Sequence, residues 1–433
     1  MNPLRAVHAV KGMNDVLPDE MARVQRVERA FARTMELYGF RELRTPLVEP
    51  TSLFVRAIGE ATDVVEKEMY SFVHHDEALT LRPEGTASAV RAYIEHGVPQ
   101  SEPVTRWYYV GPMFRAERPQ RGRYRQFWQA GAEVFGDAGP ASDAEMIDLL
   151  VRFLREIGVP DARVLVNSLG DAAARERYRA ALVDYLTPKS ERLSPYSQRR
   201  LAENPLRILD SKDPRDAEVL EGAPSILEVL SAEDVAHFDA FRRHLDALGA
   251  PYEVAPRLVR GLDYYTRTLF EIKGATAKLG AGDTLVGGGR YDGMVSDLGG
   301  PSVPAIGFAA GIERLVIASD SPDVARSIDA YVAPLGEGAV EYGLVLARDL
   351  RAAGIATDLD GRKASLKAQL RRANSVGARF ALIAGDDEVA RGVVQVKDLA
   401  ATTQETITRA EVVEALRRKV AESSPTRAPG GTS

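Results

Sequence analysis

No cysteine occurs among the 433 residues, so disulfides and cysteine-ligated zinc are excluded at once. Histidine is scarce as well: His8, His74, His75, His96, His237 and His244 show no metalloprotease spacing, and no protein-caged metal is expected. Met1 to Asp19 lacks the apolar core of a signal peptide, and no uninterrupted apolar run reaches membrane-spanning length. The expected location is therefore cytoplasmic, with no membrane partner. Neither a Gly-x-x-x-x-Gly-Lys loop nor a Gly-x-Gly-x-x-Gly fingerprint occurs, so any bound nucleotide has to be held by side chains. The formal net charge of −6 argues against a surface that coats polyanions at large, but leaves room for a local basic patch.

What is present is enough chain for two or three domains. After Leu17-Pro18-Asp19, residues Val24, Val27, Phe31, Met35 and Tyr38 recur at helical spacing until Gly39, which predicts an amphipathic opening helix. Short strand signals follow between Phe40 and Arg82, then a hairpin over Val104 to Gly136 and a helix over Ala141 to Ile157. From about 171 to 250 the pattern is almost wholly helical and reads as an insertion. Strand character returns at Arg257 to Arg260 and at Thr266 to Ile272, then passes Gly287-Gly288-Gly289 before Pro304 to Phe308. Beyond Ser319 to Arg326, β and α segments alternate, predicting a small α/β domain with a largely parallel or mixed sheet. The fold class is thus multidomain α/β and α+β. An antiparallel-sheet domain over 1–325 carries the helical insertion, an α/β domain covers 326–421, and 422–433 is expected to be a disordered tail.

The most informative segment runs from Phe114 to Glu133 and sets Arg118, Arg121, Arg123 and Arg125 in a turn between two strand-like stretches. Alternation puts Arg125, Phe127, Gln129, Gly131 and Glu133 on one face and Trp128, Ala130, Ala132 and Val134 on the other. The second face packs. The first suits a flat heterocycle and an amine, while the arginines suit a polyphosphate. Arg115, at the end of the apolar run Tyr108 to Phe114, needs either a phosphate or a salt-bridge partner. The turn arginines either share that phosphate or are simply solvated. Glu84 and Thr86 flank Gly85 just ahead of an expected helix, Ala87 to His96, and either grip an ammonium group or cap that helix. Arg260 precedes Gly261 and the pair Tyr264-Tyr265; it either stabilises a phosphate or carboxylate or pairs with Asp263. Neighbouring tyrosines on extended backbone point to opposite faces, so only one of the two is expected to reach a pocket. Gly287 to Gly293 marks either a close backbone approach or a hairpin turn. Gly307 to Leu315 runs strand into helix through small residues, leaving either room for a flat ring under Arg314 or a tightly packed corner.

Taken together, Gly39 to Phe72 with Pro46, Phe114 to Gly136, and Ala305 to Leu315 resemble motifs 1, 2 and 3 of the class II aminoacyl-tRNA synthetases. Leu258 to Thr266 and Gly287 to Gly293 resemble the histidine-specific signatures of the bacterial-type histidyl-tRNA synthetases, and the likeness extends from Lys11-Gly12 to about Lys419. The resemblance implies a ligase that activates L-histidine with ATP, brought with Mg2+, and transfers it to the 3′ end of tRNA(His). It also implies a homodimer through motif 1 and anticodon recognition by the C-terminal α/β domain, where Lys363, Lys367 and Arg371 recur every four residues. By the same resemblance Glu84, Gly85, Thr86 and Gln129 surround the amino group of histidine, and Glu133 and Tyr264, with Tyr265 beside them, read the imidazole. Arg115 binds the α-phosphate, Arg260 the carboxylate and α-phosphate, Arg123 the nucleotide, and Phe127 and Arg314 sandwich adenine. Gln120, with Arg118 and Arg125, faces the acceptor end of the tRNA. Trp128 stands where histidine or tyrosine is expected in the family, but on the packing face. The rival that the resemblance admits is the histidine-binding regulatory subunit of ATP phosphoribosyltransferase. Against it stand the full set Arg115, Arg260 and Arg314 and the α/β domain after Ile328.

Overall fold

Residues 7–60, 62–274, 279, 283–319, 328–362 and 364–423 are described by a computed structural model. The chain divides into two compact units, 1–322 and 323–433. The boundary expected at 325/326 lies outside the described residues, as does all of the expected tail beyond Ser423. Glu422 and Ser423, placed in that tail by composition, instead close the last helix, Val412–Ser423.

The first unit is built on an eight-stranded sheet. Its order is Arg41–Glu42, Thr105–Phe114, Gln126–Phe135, Ala305–Gly311, Thr284–Arg290, Thr266–Lys273, Arg163–Ser168 and Glu253–Val254. The interior pairings are antiparallel, and only the two-residue strands at the edges pair parallel. Alternation along the strands separates two chemistries. Ala130, Ala132, Val134, Val286, Ile306, Phe308 and Ala310 face a core closed by the helices Pro18–Leu37, Pro140–Glu156 and Ile312–Ala318. There Phe31 meets Phe153 and Phe308 edge to face, with centroids 5.4 and 6.2 Å apart. The opposite face carries small residues along its middle, flanked by aromatic and acidic side chains. Register aligns Tyr109, Gly131, Ala309, Gly287 and Glu271 in one row, and Trp107, Glu133, Gly307, Gly289 and Leu269 in the next. The hairpin-turn reading of Gly287 to Gly289 is thus corrected: these glycines lie inside a central strand.

Helices and 3-10 turns from Ala172 to Leu248 fill the interval between the strands Arg163–Ser168 and Glu253–Val254. The strand expected at Arg257 to Arg260 is absent; that stretch is irregular between Val254 and Thr266. Pro256 supplies no N–H for a ladder, and Asn167 takes over by donating to the carbonyls of Pro256 and Leu258 at 3.2 and 3.1 Å.

The second unit has a mixed five-stranded sheet, ordered Thr357–Leu359, Ile328–Leu335, Ala378–Gly385, Val393–Asp398, Gln404–Thr408. The first three strands are parallel and the last two antiparallel. Ala330 and Val332 face one apolar cluster while Tyr331 and Ala333 face another, so this strand reads as a continuous apolar run. Lys367 and Arg371 are exposed on the helix Leu366–Ser375, and Lys363 lies outside the described residues. No helix among the described residues is long and apolar enough to cross a membrane.

One ion pair ties the first unit together from inside. Arg290 and Asp143 are both wholly buried, with Nη2 2.6 Å from Oδ1 and Nε 3.1 Å from Oδ2. Arg290 also donates to the carbonyls of Asp137 and Gly139, at 2.9 and 2.8 Å, and Thr268 donates to Asp143 at 2.5 Å. Removing one member leaves the other charged in a dry interior. Asp143→Ala is therefore expected to destabilise the first unit by about 3 to 5 kcal/mol, read as a lowered midpoint in denaturant unfolding; a loss below about 1 kcal/mol would contradict the pairing.

Candidate active site

Over this second face of the sheet lies a cavity of about 550 Å³, and it gathers residues from segments far apart in sequence. Glu84, Thr86, Arg115, Arg123, Gln129, Arg260, Tyr264, Tyr265 and Arg314 all line it. The sheet makes this possible by withholding side chains. A Cβ at Gly287 would fall on the Arg260 guanidinium, and one at Gly307 on the Glu133 carboxylate. Gly85 and Gly131 leave their space to the ring of Tyr109.

Each of three arginines is held by one side and offers the rest of its fork. Arg115 donates from Nε to the Pro83 carbonyl at 2.8 Å and lies 5.5 Å over the Phe127 ring. Arg314 donates to the carbonyls of Gly122 and Thr284 at 3.1 and 2.6 Å. Arg260 donates to Glu271 at 2.5 Å, not to Asp263, which is engaged by Asn204 and Arg207 instead. Burial opposes the charge on Arg260, yet Tyr265 and Glu271 outweigh it and raise its pKa. Burial, with Arg123 nearby, lowers that of Arg314.

At the other end the groups are polar but uncharged or paired. The Glu84 carboxylate accepts from the backbone N–H groups of Thr86 and Ala87, at 3.0 and 2.7 Å, so it caps the helix Thr86–Glu95 while also lining the cavity. The capping expected of Thr86 is performed by Glu84. Gln129 carries the clearest demand for a ligand: its Oε1 is buried without a hydrogen-bond partner. Tyr264 and Tyr265 both line the cavity, their rings 4.6 Å apart. The expectation that one would point away fails because 261–264 forms a bend and turn, not extended backbone.

Glu133 is deeper than expected. It is fully buried and not among the lining residues; Tyr109 donates to Oε1 at 3.0 Å and Tyr291 to Oε2 at 2.5 Å. Desolvation lifts its pKa to about 8, against the phenol hydrogen bond from Tyr291. Tyr291, bonded to it, does line the cavity. Phe127 and Gly85 likewise support the site from outside its surface. Arg118 and Gln120 are exposed in the turn, and Arg125 donates to the carbonyls of Glu117 and Lys11, so none of these three faces the cavity.

Sequence reasoning missed Tyr109, Tyr291, Glu271, Arg207, Asp210 and Lys212. Tyr291 stood within a quoted motif, and Tyr109 sits opposite Gly131 in register, a pairing visible once the hairpin is drawn. The last three come from the helical insertion, whose charged surface gave no signal. Among the described residues, no group of three or more His, Asp or Glu is arranged to hold a metal ion.

A family model described as histidyl-tRNA synthetase matches residues 12–315, and one described as an anticodon binding domain matches 329–419. The chain belongs to the histidyl-tRNA synthetase family. It is 58% identical to the histidine–tRNA ligase of Sorangium cellulosum, over 98% of each chain, and 46% identical to that of Bacillus velezensis, over 95% and 99%. The crystal structure of apo Staphylococcus aureus histidyl-tRNA synthetase superposes with a TM-score of 0.80 at 34% identity, covering 95% of this chain and 100% of that one. A Bacillus halodurans protein described as an ATP phosphoribosyltransferase regulatory subunit/histidyl-tRNA synthetase shares the fold at a TM-score of 0.64 and 21% identity, over 87% and 98%.

In the native state the Glu133 carboxyl keeps its proton up to about pH 8, whereas the unfolded chain releases it near the ordinary value of 4.5. Unfolded protein then binds fewer protons, so this group's contribution to stability falls as pH rises from about 5 to 8 and levels off above. Glu133→Gln removes that slope. The melting temperature of the variant, relative to the original chain, should climb between pH 5 and pH 8; a constant offset would show that Glu133 is ionised throughout.

Proposed function

We propose that this protein is a histidine–tRNA ligase, and the observation that carries the reading is the convergence of Arg115, Arg260 and Arg314 on the cavity that also holds the orphaned Gln129 oxygen. A cluster of fixed cations suits a triphosphate, and an unpartnered amide oxygen beside Glu84 and Thr86 suits an α-ammonium. We assign adenine to the Arg314 end, the polyphosphate to Arg115 and Arg123, and the imidazole to Tyr264 and Tyr291 with Glu133 beneath. ATP would come as its magnesium complex, and Glu68 at the cavity would offer an oxygen donor of the kind such a hard cation takes; Glu117 is engaged by Arg123 and Arg115.

In the first step a carboxylate oxygen of histidine attacks the α-phosphorus, the bond to the β-phosphate oxygen breaks, and pyrophosphate leaves. In the second a terminal ribose hydroxyl of tRNA(His) attacks the acyl carbon; its proton is lost and AMP departs. Neither step needs a nucleophilic side chain. Arg115 and Arg260 stabilise charge as it gathers on the phosphorane and hold the two reactants in line. The Tyr264 and Tyr291 hydroxyls at the cavity give a polar ring hydrogen-bonding partners that an apolar competitor cannot use, and sites built to hydrogen-bond a polar substrate discriminate by roughly 10⁴ to 10⁵. The reading extends to a homodimer through Gly39 to Phe72, to anticodon recognition by the second unit and to a cytoplasmic location.

The purified chain is expected to catalyse histidine-dependent exchange of pyrophosphate into ATP, with Arg260→Ala slower by at least about a hundredfold. Histidine binding without exchange would favour a regulatory histidine-binding protein, and exchange driven equally by other amino acids would remove the specificity assigned to Tyr264 and Glu133.

A further inference from the structure

The stretch that carries Arg260 has no strand to hold it. On its N-terminal side Asn167 bonds the carbonyls of Pro256 and Leu258. On its C-terminal side the partners come from the helical insertion. Arg207 donates from Nη2 to the Gly261 carbonyl, its Nε lies 3.5 Å from Asp263 Oδ1, and Asn204 donates to Asp263 Oδ2 at 3.1 Å. The Arg207 side chain is only 13% exposed. The same piece of the insertion is also fastened to the neighbouring segment around Gly59, which lies against Asp263: Arg200 reaches Asp63 at 2.9 Å and Tyr196 donates to Asp63 at 3.2 Å. Asp63 and Arg207 both border the cavity. The insertion therefore holds two neighbouring segments at the edge of the site, 59–63 and 261–263, and one of its grips is on the Gly261 carbonyl, one residue beyond Arg260.

We propose that Arg207 is a positioning residue for activation, fixing the Gly261 peptide and Asp263 so that the Arg260 guanidinium lies flat over Gly287 where the α-phosphate reacts. This rests on the ligase reading given above. A guanidinium one peptide from the fixed carbonyl moves with it, and misplacement by about 1 Å costs on the order of a hundredfold in rate. Lysine cannot replace the fork, because a single ammonium does not span both the carbonyl and the carboxylate.

The test is pyrophosphate exchange by the full-length chain carrying Arg207→Ala, Arg207→Lys or Asp263→Asn, each also combined with Arg260→Ala. Arg207→Ala is expected to lower kcat about tenfold, and the two milder variants about threefold, with the KM for ATP changed less than about threefold. In the Arg260→Ala background the further loss should shrink below about twofold, since a residue acting through Arg260 has nothing left to position. Undiminished loss in that background, or a shift confined to the KM for ATP, would mean that Arg207 binds nucleotide directly and would overturn the proposal. Amide exchange over 258–265 gives an arm independent of activity, and it also covers a poorly folding Arg207→Ala through Arg207→Lys and Asp263→Asn. Faster exchange there, with the core strands unchanged, supports the clasp; unchanged exchange sinks it. An original chain without histidine-dependent exchange would sink the ligase reading instead, leaving the amide arm to judge the clasp.

Discussion

Everything the cavity does depends on side chains that are missing. Arg260 and Glu133 occupy volume that Gly287 and Gly307 leave open, and Tyr109 lies in the space conceded by Gly85 and Gly131. Glycine in a strand interior is destabilising by roughly 0.5 to 1 kcal/mol relative to alanine, and Thr284–Arg290 carries three in a row. The opposite face offsets this, because the same strands bury Val286, Phe308 and Ile306 against aromatic and aliphatic side chains from three helices. One sheet thus carries a dense core on one side and a ligand floor on the other, with backbone alternation keeping the two apart.

The electrostatics follow from how the cations are held. Arg314 is oriented by two neutral carbonyl oxygens, which fix geometry without cancelling charge, and Arg115 by one, with the Glu117 carboxylate 3.9 Å from its Nη1. Arg260 is bonded to Glu271, itself 3.6 Å from Lys273, so its field is tempered but its position is firm. Donors set in place before an anion arrives need no reorganisation during the reaction, and that is the main source of rate in chemistry without a protein nucleophile.

Much of this was legible in the sequence, because local periodicity reports local structure. The hairpin from Thr105 to Phe135, the facing of Gln129 and Glu133, and the alternating second unit all followed from patterns within about thirty residues. What escaped depends on partners remote in the chain. Arg257 to Arg260 has strand composition, but Asn167 takes the Leu258 carbonyl and Arg207 that of the adjoining Gly261, and the stretch stays irregular. Tyr264 and Tyr265 reach the same space because the chain turns at 261–264, and no propensity signals a turn enforced by a distant arginine. The depth of Glu133 was hidden for a related reason: its partner Tyr291 is 158 residues away.

Arg290 bears on how the site comes apart. It neighbours Tyr291 in the chain, and its guanidinium ties the central strand to Asp137, Gly139 and the helix Pro140–Glu156. The cavity floor is therefore tied through Arg290 to the buried pair with Asp143 and to that helix. Partial melting of surface loops can loosen the rim, but the floor is lost only together with the sheet, in one cooperative event. Heating is thus expected to abolish the cavity floor in the same transition that melts the sheet, with no earlier step of its own.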